Sequence, residues 1–438
     1  MILKILKFKN SIKMSIKIEN RMLKWIKELF PIMRSITGQG VRDTLNYLKK
    51  INKELIIKSI PTGTKCFDWK VPEEWNIKSA YIEDEFGKKI LDIKKNNLHV
   101  VNYSSSINKI ISYNELQKHL YSIPKQPNAI PYITSYYKKI WGFCISEKQR
   151  KKLKKCKYKV FIDSSFTKGN LNYGEIYIKG QSKKEILIST NICHPSMANN
   201  ELSGPAVSMA LSLWLKNKKN KYSFRIIFVP ETIGSICYIK KNFSKLKKVI
   251  AGFNIVCVGD NKNFSFLPSK NGDTLSDRAA LLALKENNLK YNKYSFLDRG
   301  SDERQYCSPG IELPICSVMR SKYGTYPEYH TSLDNLNFIS SKGLLGSFEI
   351  YKYIINIIEL NQIYKTKILC EPFLTKYKLY PTLSTKETKS SIKTITNFLM
   401  YVDGKNDLIE LSNILNENFN HLKQIEKKLL KNKLISIK

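Results

Sequence analysis

The chain has 438 residues, enough for two or three domains, and 42% of them are hydrophobic, ample for a buried core. It carries 74 Lys and Arg against 37 Asp and Glu, a formal net charge of +37. No run approaches the ~18 consecutive apolar residues that a spanning helix needs, so a helical membrane protein is not expected.

The positive excess is spread along the chain. There is no arginine-rich block and no lysine run interleaved with aromatics. Nucleic acid is therefore not the favoured partner, and affinity for anionic ligands is the milder inference. The nine cysteines are Cys66, Cys144, Cys156, Cys193, Cys237, Cys257, Cys307, Cys316 and Cys370. Their odd number, wide spacing and lack of any C-x-x-C pair fit reduced thiols in a cytoplasmic protein, not a disulfide frame or zinc knuckle.

The first twenty residues, "MILKILKFKNSIKMSIKIEN", are broken by lysine every few positions and lack a secretory signal's apolar centre. They read as a basic extension over 1–20, with an interfacial amphipathic helix as the alternative. From about 20 to 58, "NRMLKWIKELFPIMR" and "GVRDTLNYLKKI" repeat apolar residues at helical spacing. A small β-rich module then runs from 61 to about 130, marked by Pro and Gly punctuation and alternating aromatic and β-branched residues. "PYITSYYKKIWGF" reads as a short helix, followed by two strands, "YKVFIDSSF" and "GEIYIKG". Next, strands "EILISTNIC", "SFRIIFVPE", "VIAGFNIVCVGD" and "LPICSVM" alternate with helices "GPAVSMALSLWL", "LSDRAALLALKEN" and "SKGLLGSFEIYKYIINIIEL". Continuous apolar strands between amphipathic helices predict a mainly parallel sheet covered on both faces. Pro372 and Pro381 suggest a linker. Three closing helices, "SIKTITNFLMYV", "DLIELSNILN" and "FNHLKQIEKKLLKNKLI", make a winged-helix-sized module.

In open α/β sheets, ligands bind outside the carboxyl ends of strands, so the polar residues there matter most. His194 ends "ILISTNIC", and Asn200 and Glu201 precede the following helix. Glu231 ends "RIIFVP", Asp260 ends "FNIVCVG", and His330 follows the last core strand by a loop. Two imidazoles and a carboxylate suit a zinc site that leaves one position for water, with a further glutamate to take the proton. His194, His330 and Glu201 are the expected metal ligands and Glu231 the expected general base. Asp334, in "TSLDN", is expected to orient His330 from behind. The charged loop "RGSDERQY", with Arg299, Asp302, Glu303 and Arg304, joins Arg320 and Lys322 as a candidate holder of an anionic substrate group. Asn200 and Asp260 complete the expected substrate-binding set. Blander readings stay open: Glu201 favouring a helix dipole, Asp260 in an Asx-turn, and the charged loop simply solvated.

The phrases "CHPSMANNELSGP", "VPETIGSI", "VGDNKNFSFLPS", "RGSDERQY" and "SVMRSKYGTYPEYHTSLDN" together resemble bacterial aminopeptidase-like proteins that end in a winged helix. The resemblance spans about residues 25–438. It implies a zinc-exopeptidase-like α/β core over 21–60 and 131–366, a β-rich domain inserted at 61–130, and a winged helix at 367–438. Within the co-catalytic zinc aminopeptidases that this core is similar to, His194, Glu231 and His330 match a metal histidine, the general base and the terminal histidine. Asn200 stands where those enzymes carry a bridging Asp, Thr232 where they carry a second Glu, and Val256 where they carry a metal-binding Asp. The resemblance therefore implies zinc, one ion rather than two.

Three functions compete. The first is a metal-dependent hydrolase acting on an amide-type bond of a small or peptide-like substrate. The second is a catalytically altered relative that binds a small molecule or sugar derivative. The third is a winged-helix regulator with the core as sensor. Homo-oligomerisation stays open in all three.

Overall fold

A computed structural model describes residues 18–380 and 386–438, the backbone alone for 386–391. The basic extension expected over 1–20 lies outside the described residues except for 18–20, and so does Pro381 of the expected linker. Residues 18–20 open a helix, α1, that spans 18–29. Two compact units form. One holds residues up to 276 together with 290–349, and the other holds 277–289 with everything from 350 onward.

Helix α2 (Gln39–Ile51) buries Val41, Thr44, Leu45 and Leu48, the three- and four-residue spacing of one helical face. The helix expected to run on to 58 instead stops at Asn52. The β-branched stretch after Leu55 becomes a strand. Eight strands build the central sheet of the first unit. They are β1 (Ile56–Pro61), β2 (Asn170–Ile178), β3 (Glu185–Asn191), β4 (Ser223–Val229), β5 (Val249–Asn254), β6 (Phe264–Leu267), β7 (Tyr291–Lys293) and β8 (Ile315–Met319). Their spatial order is β1-β2-β4-β3-β5-β8-β6-β7. The pairs β3/β4, β3/β5, β5/β8 and β6/β7 are parallel, and the other three are antiparallel. Every residue of β3 and β4 is buried, as the continuous apolar pattern requires. The charge that β4 carries, Arg225, is offset by Glu185 at 2.7 Å and Glu175 at 3.3 Å.

A wide turn of π-helix, Ala198–Leu202, links β3 to helix α3 (Ser203–Lys216). Gly204 makes this possible, because a Cβ there would collide with the Ile255 carbonyl and the Thr190 hydroxyl. After β4 the chain turns through Thr232, a non-glycine residue at φ 65°, into helix α4 (Ile233–Leu246).

The inserted domain is larger than its composition suggests. Its four-stranded antiparallel sheet has the order Lys89–Asp92, Glu74–Glu83, Lys157–Thr167, Ile107–Ser112. The sheet thus extends well past residue 130, and the chain returns to the central sheet only at Asn170. The two strands "YKVFIDSSF" and "GEIYIKG" belong to different sheets. The helix expected over "PYITSYYKKIWGF" does not form. Its backbone is engaged elsewhere: Tyr132 N–H donates to His330 O at 2.9 Å and Ser135 N–H to Asn102 O at 2.9 Å.

In the second unit, Ile363–Thr366 pairs antiparallel with both Asp403–Asp407 and Ile435–Ile437. Helices Lys386–Tyr401, Leu408–Leu415 and Phe419–Lys431 complete this module. Asp407 caps the second helix through a reciprocal box with Glu410. The module begins with the strand at 363, inside the range expected for the α/β core. No described helix is long and apolar enough to cross a membrane.

Candidate active site

His194 sits just beyond the carboxyl end of β3. Its ring is clamped through one nitrogen: Nδ1 lies 2.6 Å from Glu201 Oε2. The other Glu201 oxygen accepts the backbone N–H of Cys193 and that of His194, the latter at 2.9 Å. Glu201 is fully buried, and the π-helical turn is what aims it back at the strand end. Arg34, fully buried as well, donates Nε–H to the His194 carbonyl at 3.0 Å. Burial works against a charged His194, but Cys193 and Glu201 outweigh it and raise the imidazole pKa well above its ordinary value.

The Nε2 side of the same ring faces Glu231, whose Oε2 lies 3.6 Å away. The His330 ring centroid is 5.1 Å from that of His194. His330 Nε2 is buried and has no hydrogen-bond partner. Burial, helped by the charge on His194, pulls the His330 pKa down to about 3, so this ring is neutral. His330 adopts φ 53° and stacks on Tyr329 with centroids 3.9 Å apart. Tyr132 packs edge-on against both imidazoles, and its hydroxyl shares a 2.7 Å hydrogen bond with Tyr136.

Glu231 follows β4. Its Oε1 accepts the Ser301 hydroxyl at 2.7 Å, and its N–H donates to Cys193 Sγ at 3.2 Å. Burial raises its pKa, against the pull of His194 and Ser301. Beside it, Thr232 N–H donates to Asp302 Oδ1 at 2.7 Å, and Thr232 Oγ1 accepts from Arg304 Nη2 at 2.5 Å. Asp302 is buried, and burial together with Glu231 pushes it up to about 8. A cavity of about 300 Å³ opens on these groups, lined by Cys193, His194, Glu231, Thr232 and Arg304 on one side. Ile36, Trp69, Tyr136, Tyr137 and Ile233 form its apolar wall.

The structure thus brings His194, Glu201, Glu231 and His330 together, with Arg304 at the cavity edge. Others are placed differently. Both Glu201 oxygens contact His194 and backbone amides, at the Nδ1 edge of the ring, while Glu231 faces Nε2. Asp334 does not support His330; its carboxylate accepts the Asn199 N–H at 2.6 Å and the Asn200 N–H at 2.8 Å, fixing the π-helical turn. Burial raises Asp334 to about 7 despite those amides. Asp260 is buried and accepts from Asn199 Nδ2, Ser321 N–H and Lys262 N–H, the framework role of an Asx-turn residue. Glu303 accepts from the Gly300 and Ser301 amides and the Tyr323 hydroxyl and so shapes its loop. Arg320 lies over the Phe264 ring, 3.9 Å from its centroid, and donates to the Gly343 carbonyl. Lys322 donates to the Tyr323 carbonyl. Asn200 packs against Cys257 and Met197. Arg299 is exposed over Phe296. Arg34 and Tyr132 carry no sequence signal for this site, since their contacts to His194 join chain segments far apart in sequence.

Residues 23–361 match the family model described as Domain of unknown function (DUF4910). Residues 362–437 match a winged helix-turn-helix model. A Clostridium acetobutylicum protein named for polysaccharide biosynthesis and an aminopeptidase-like domain is 41% identical over 418 residues, 94% of this chain and 95% of that one. The crystal structure of a protein described as a peptidase, from the same organism, superposes with a TM-score of 0.92 at 39% identity, covering 99% of both chains. A zinc aminopeptidase from Bacillus subtilis shares the fold, with a TM-score of 0.56 at 13% identity over 77% of this chain and 94% of that one. The chain therefore belongs to the DUF4910 family of aminopeptidase-like proteins that end in a winged helix.

Proposed function

We propose that the chain is a metal-dependent hydrolase of an amide-type bond, with one zinc-like ion held by His194 and His330 and with Glu231 as general base. The observation that carries this reading is the His330 Nε2. A neutral imidazole nitrogen buried without a partner, 5.1 Å ring-to-ring from a second imidazole, fits a pair of metal ligands. A zinc ion bound there would supply Lewis acidity at the scissile carbonyl.

The chain's own groups account for the rest. Cys193, His194 and Glu201 each offer an atom within 4.8 Å of the others, which makes the Nδ1 side a rival position. That side is closed, because Glu201 Oε2 already accepts a hydrogen bond from His194 Nδ1 and its other oxygen accepts from the Cys193 and His194 amides. Glu201 is then a positioning residue, not the carboxylate ligand that its place in the sequence suggests. Glu231 takes a proton from the attacking water as the water oxygen adds to the carbonyl carbon. It returns that proton to the leaving nitrogen as the C–N bond breaks. Ser301 holds the far oxygen of Glu231 and so aims the near one. A single ion is favoured because Thr232, where a second carboxylate would be needed, is engaged by the Arg304 cation. The apolar wall of Ile36, Trp69 and Tyr136 suits a substrate with an apolar group next to the scissile bond.

The test is metal analysis of the full chain purified without added metal. About one ion per chain is expected. His194→Ala and His330→Ala should each lose it, and a double variant that keeps its full metal sinks the proposal.

A further inference from the structure

We propose a second binding site, for a phosphate ester, in the cleft that Lys270, Lys293, Arg299 and Arg304 surround. The cleft encloses about 890 Å³ and lies beside the His194 cavity, with Arg304 in the wall of both. Strands β6 and β7 run antiparallel to β8, so their carboxyl ends open away from the His194 end of the sheet. Lys270 follows β6 in a turn closed by Gly272 N–H on the Ser269 carbonyl, and Lys293 ends β7 opposite Phe266. The chain then returns through Tyr294 and Phe296, which add ring faces to the wall.

A chain of net charge +37 has lysines everywhere, so cations alone prove nothing. Three features separate this cleft from a solvated basic surface. It is concave, and no Asp or Glu is among its lining residues. Arg304 Nε is buried and has no partner, although its Nη2 is fixed on Thr232. A buried guanidinium N–H without an acceptor costs free energy that an anion would relieve. Arg299 is held over the Phe296 ring, 5.2 Å from its centroid. Lys270 has a carboxylate nearby, Glu312 at 3.4 Å, but both side chains are exposed and this pair is weak competition.

Four cations around one cleft exceed what a single carboxylate would neutralise, whereas a phosphate monoester carries close to two negative charges and three acceptor oxygens. The ring faces and prolines offer an apolar seat for the organic part of the ester. The two cavities share Arg304 in their walls, and the binding proposed here goes beyond the hydrolase reading and does not rest on it.

The probe is uridine 5′-monophosphate, titrated calorimetrically into the metal-loaded full chain at ~0.15 M salt, where diffuse attraction is screened. Saturable binding is expected. Lys293→Glu with Arg299→Glu should weaken it about tenfold or more, because two charged contacts are lost. The neutral pair Lys293→Gln with Arg299→Gln repeats the test should charge reversal disturb folding. Lys427→Glu with Lys431→Glu removes the same charge from the second unit and should leave binding unchanged. Binding should also persist in His194→Ala, whatever becomes of metal and turnover in that variant. Absence of saturable binding, equal weakening by both charge-reversed pairs, or loss of binding in His194→Ala would each overturn the proposal. The last would put the phosphate on the metal centre.

Discussion

The Glu201 carboxylate holds His194 Nδ1 at 2.6 Å, and this contact decides which face of the imidazole is left for chemistry. Nδ1 is committed, so Nε2 is the nitrogen left to exchange its proton for another partner, and it lies 3.6 Å from Glu231 Oε2.

Glu201→Gln should therefore weaken metal binding without abolishing it. The Gln carbonyl can accept either from the Cys193 and His194 backbone N–H groups or from His194 Nδ1–H, and its NH2 accepts from neither, so one of the two contacts is lost. Loss of such a supporting carboxylate costs about 10- to 100-fold in metal affinity. A chelator-competition titration should show that weakening, with full stoichiometry regained at saturating zinc. If stoichiometry never returns, Glu201 is itself a ligand.

Glu231→Gln separates base from ligand at the other nitrogen. Metal content should be unchanged, and turnover of amino-acyl amide or peptide substrates should fall by about 100-fold or more through lost proton transfer. Loss of the ion in this variant would make Glu231 the carboxylate ligand. Unchanged turnover would remove it from the mechanism.

The legible part of the fold was the part buried on both faces. Strands β3, β4, β5 and β8 read as apolar runs because helices cover them. Tyr291–Lys293 was not legible, being three residues long with two of them exposed, and it has no periodicity to find. Lys157–Thr167 was legible as a strand but not as part of the inserted domain, because nothing local in "YKVFIDSSF" says which sheet it joins. Within the site, His194, Glu231 and His330 could be collected from strand ends and loops. The role of Glu201 could not, since Glu at that position looks the same whether it faces a metal or an imidazole. The π-helical turn sets which way this side chain points. Asp260 and Asp334 illustrate the same limit. Buried carboxylates that cap backbone amides have no sequence signature distinct from ligands.

Acid should loosen the joint between helix α2 and the inserted domain. Glu74 accepts from Arg42 Nη2 at 2.6 Å, Asn76 Nδ2 at 3.0 Å and Asn170 N–H at 3.1 Å. Burial alone would raise its pKa, but these donors lower it from 4.5 to about 2. A depressed carboxylate contributes stability that is fully present above its unfolded pKa and is lost as pH falls through the folded value. The contribution should thus hold above about pH 4.5 and fade toward pH 2. Glu74→Gln should cost about 2 kcal/mol at pH 7, the scale of a lost charged hydrogen bond, and less as pH approaches 2. Denaturant unfolding of both proteins at pH 7 and pH 3 checks this. A penalty that grows on acidification would contradict it.

The winged-helix module should not read DNA sequence. Its third helix, Phe419–Lys431, buries Phe419, Leu422, Ile425, Glu426 and Leu429. Lys423 is held by Glu426 at 3.0 Å and by the Tyr364 hydroxyl at 3.2 Å, which takes its charge away from any phosphate. The exposed cations Lys427, Lys428, Lys431 and Lys433 are all lysines, and among residues 391–438 there is no arginine. Lysine contacts phosphates as a point charge, and such binding is salt-sensitive and blind to sequence. Discriminating base pairs in the major groove calls for bidentate pairing from Arg, Asn or Gln, or for a directed lysine, on an exposed helix face. Gln424 is the one exposed amide within this helix beside the solvent-facing Asn420, too few to specify a site. Selection from random duplexes at physiological salt should accordingly enrich no motif. A single enriched motif, lost on deletion of residues 391–438, would show the opposite and make the module a sequence-specific reader.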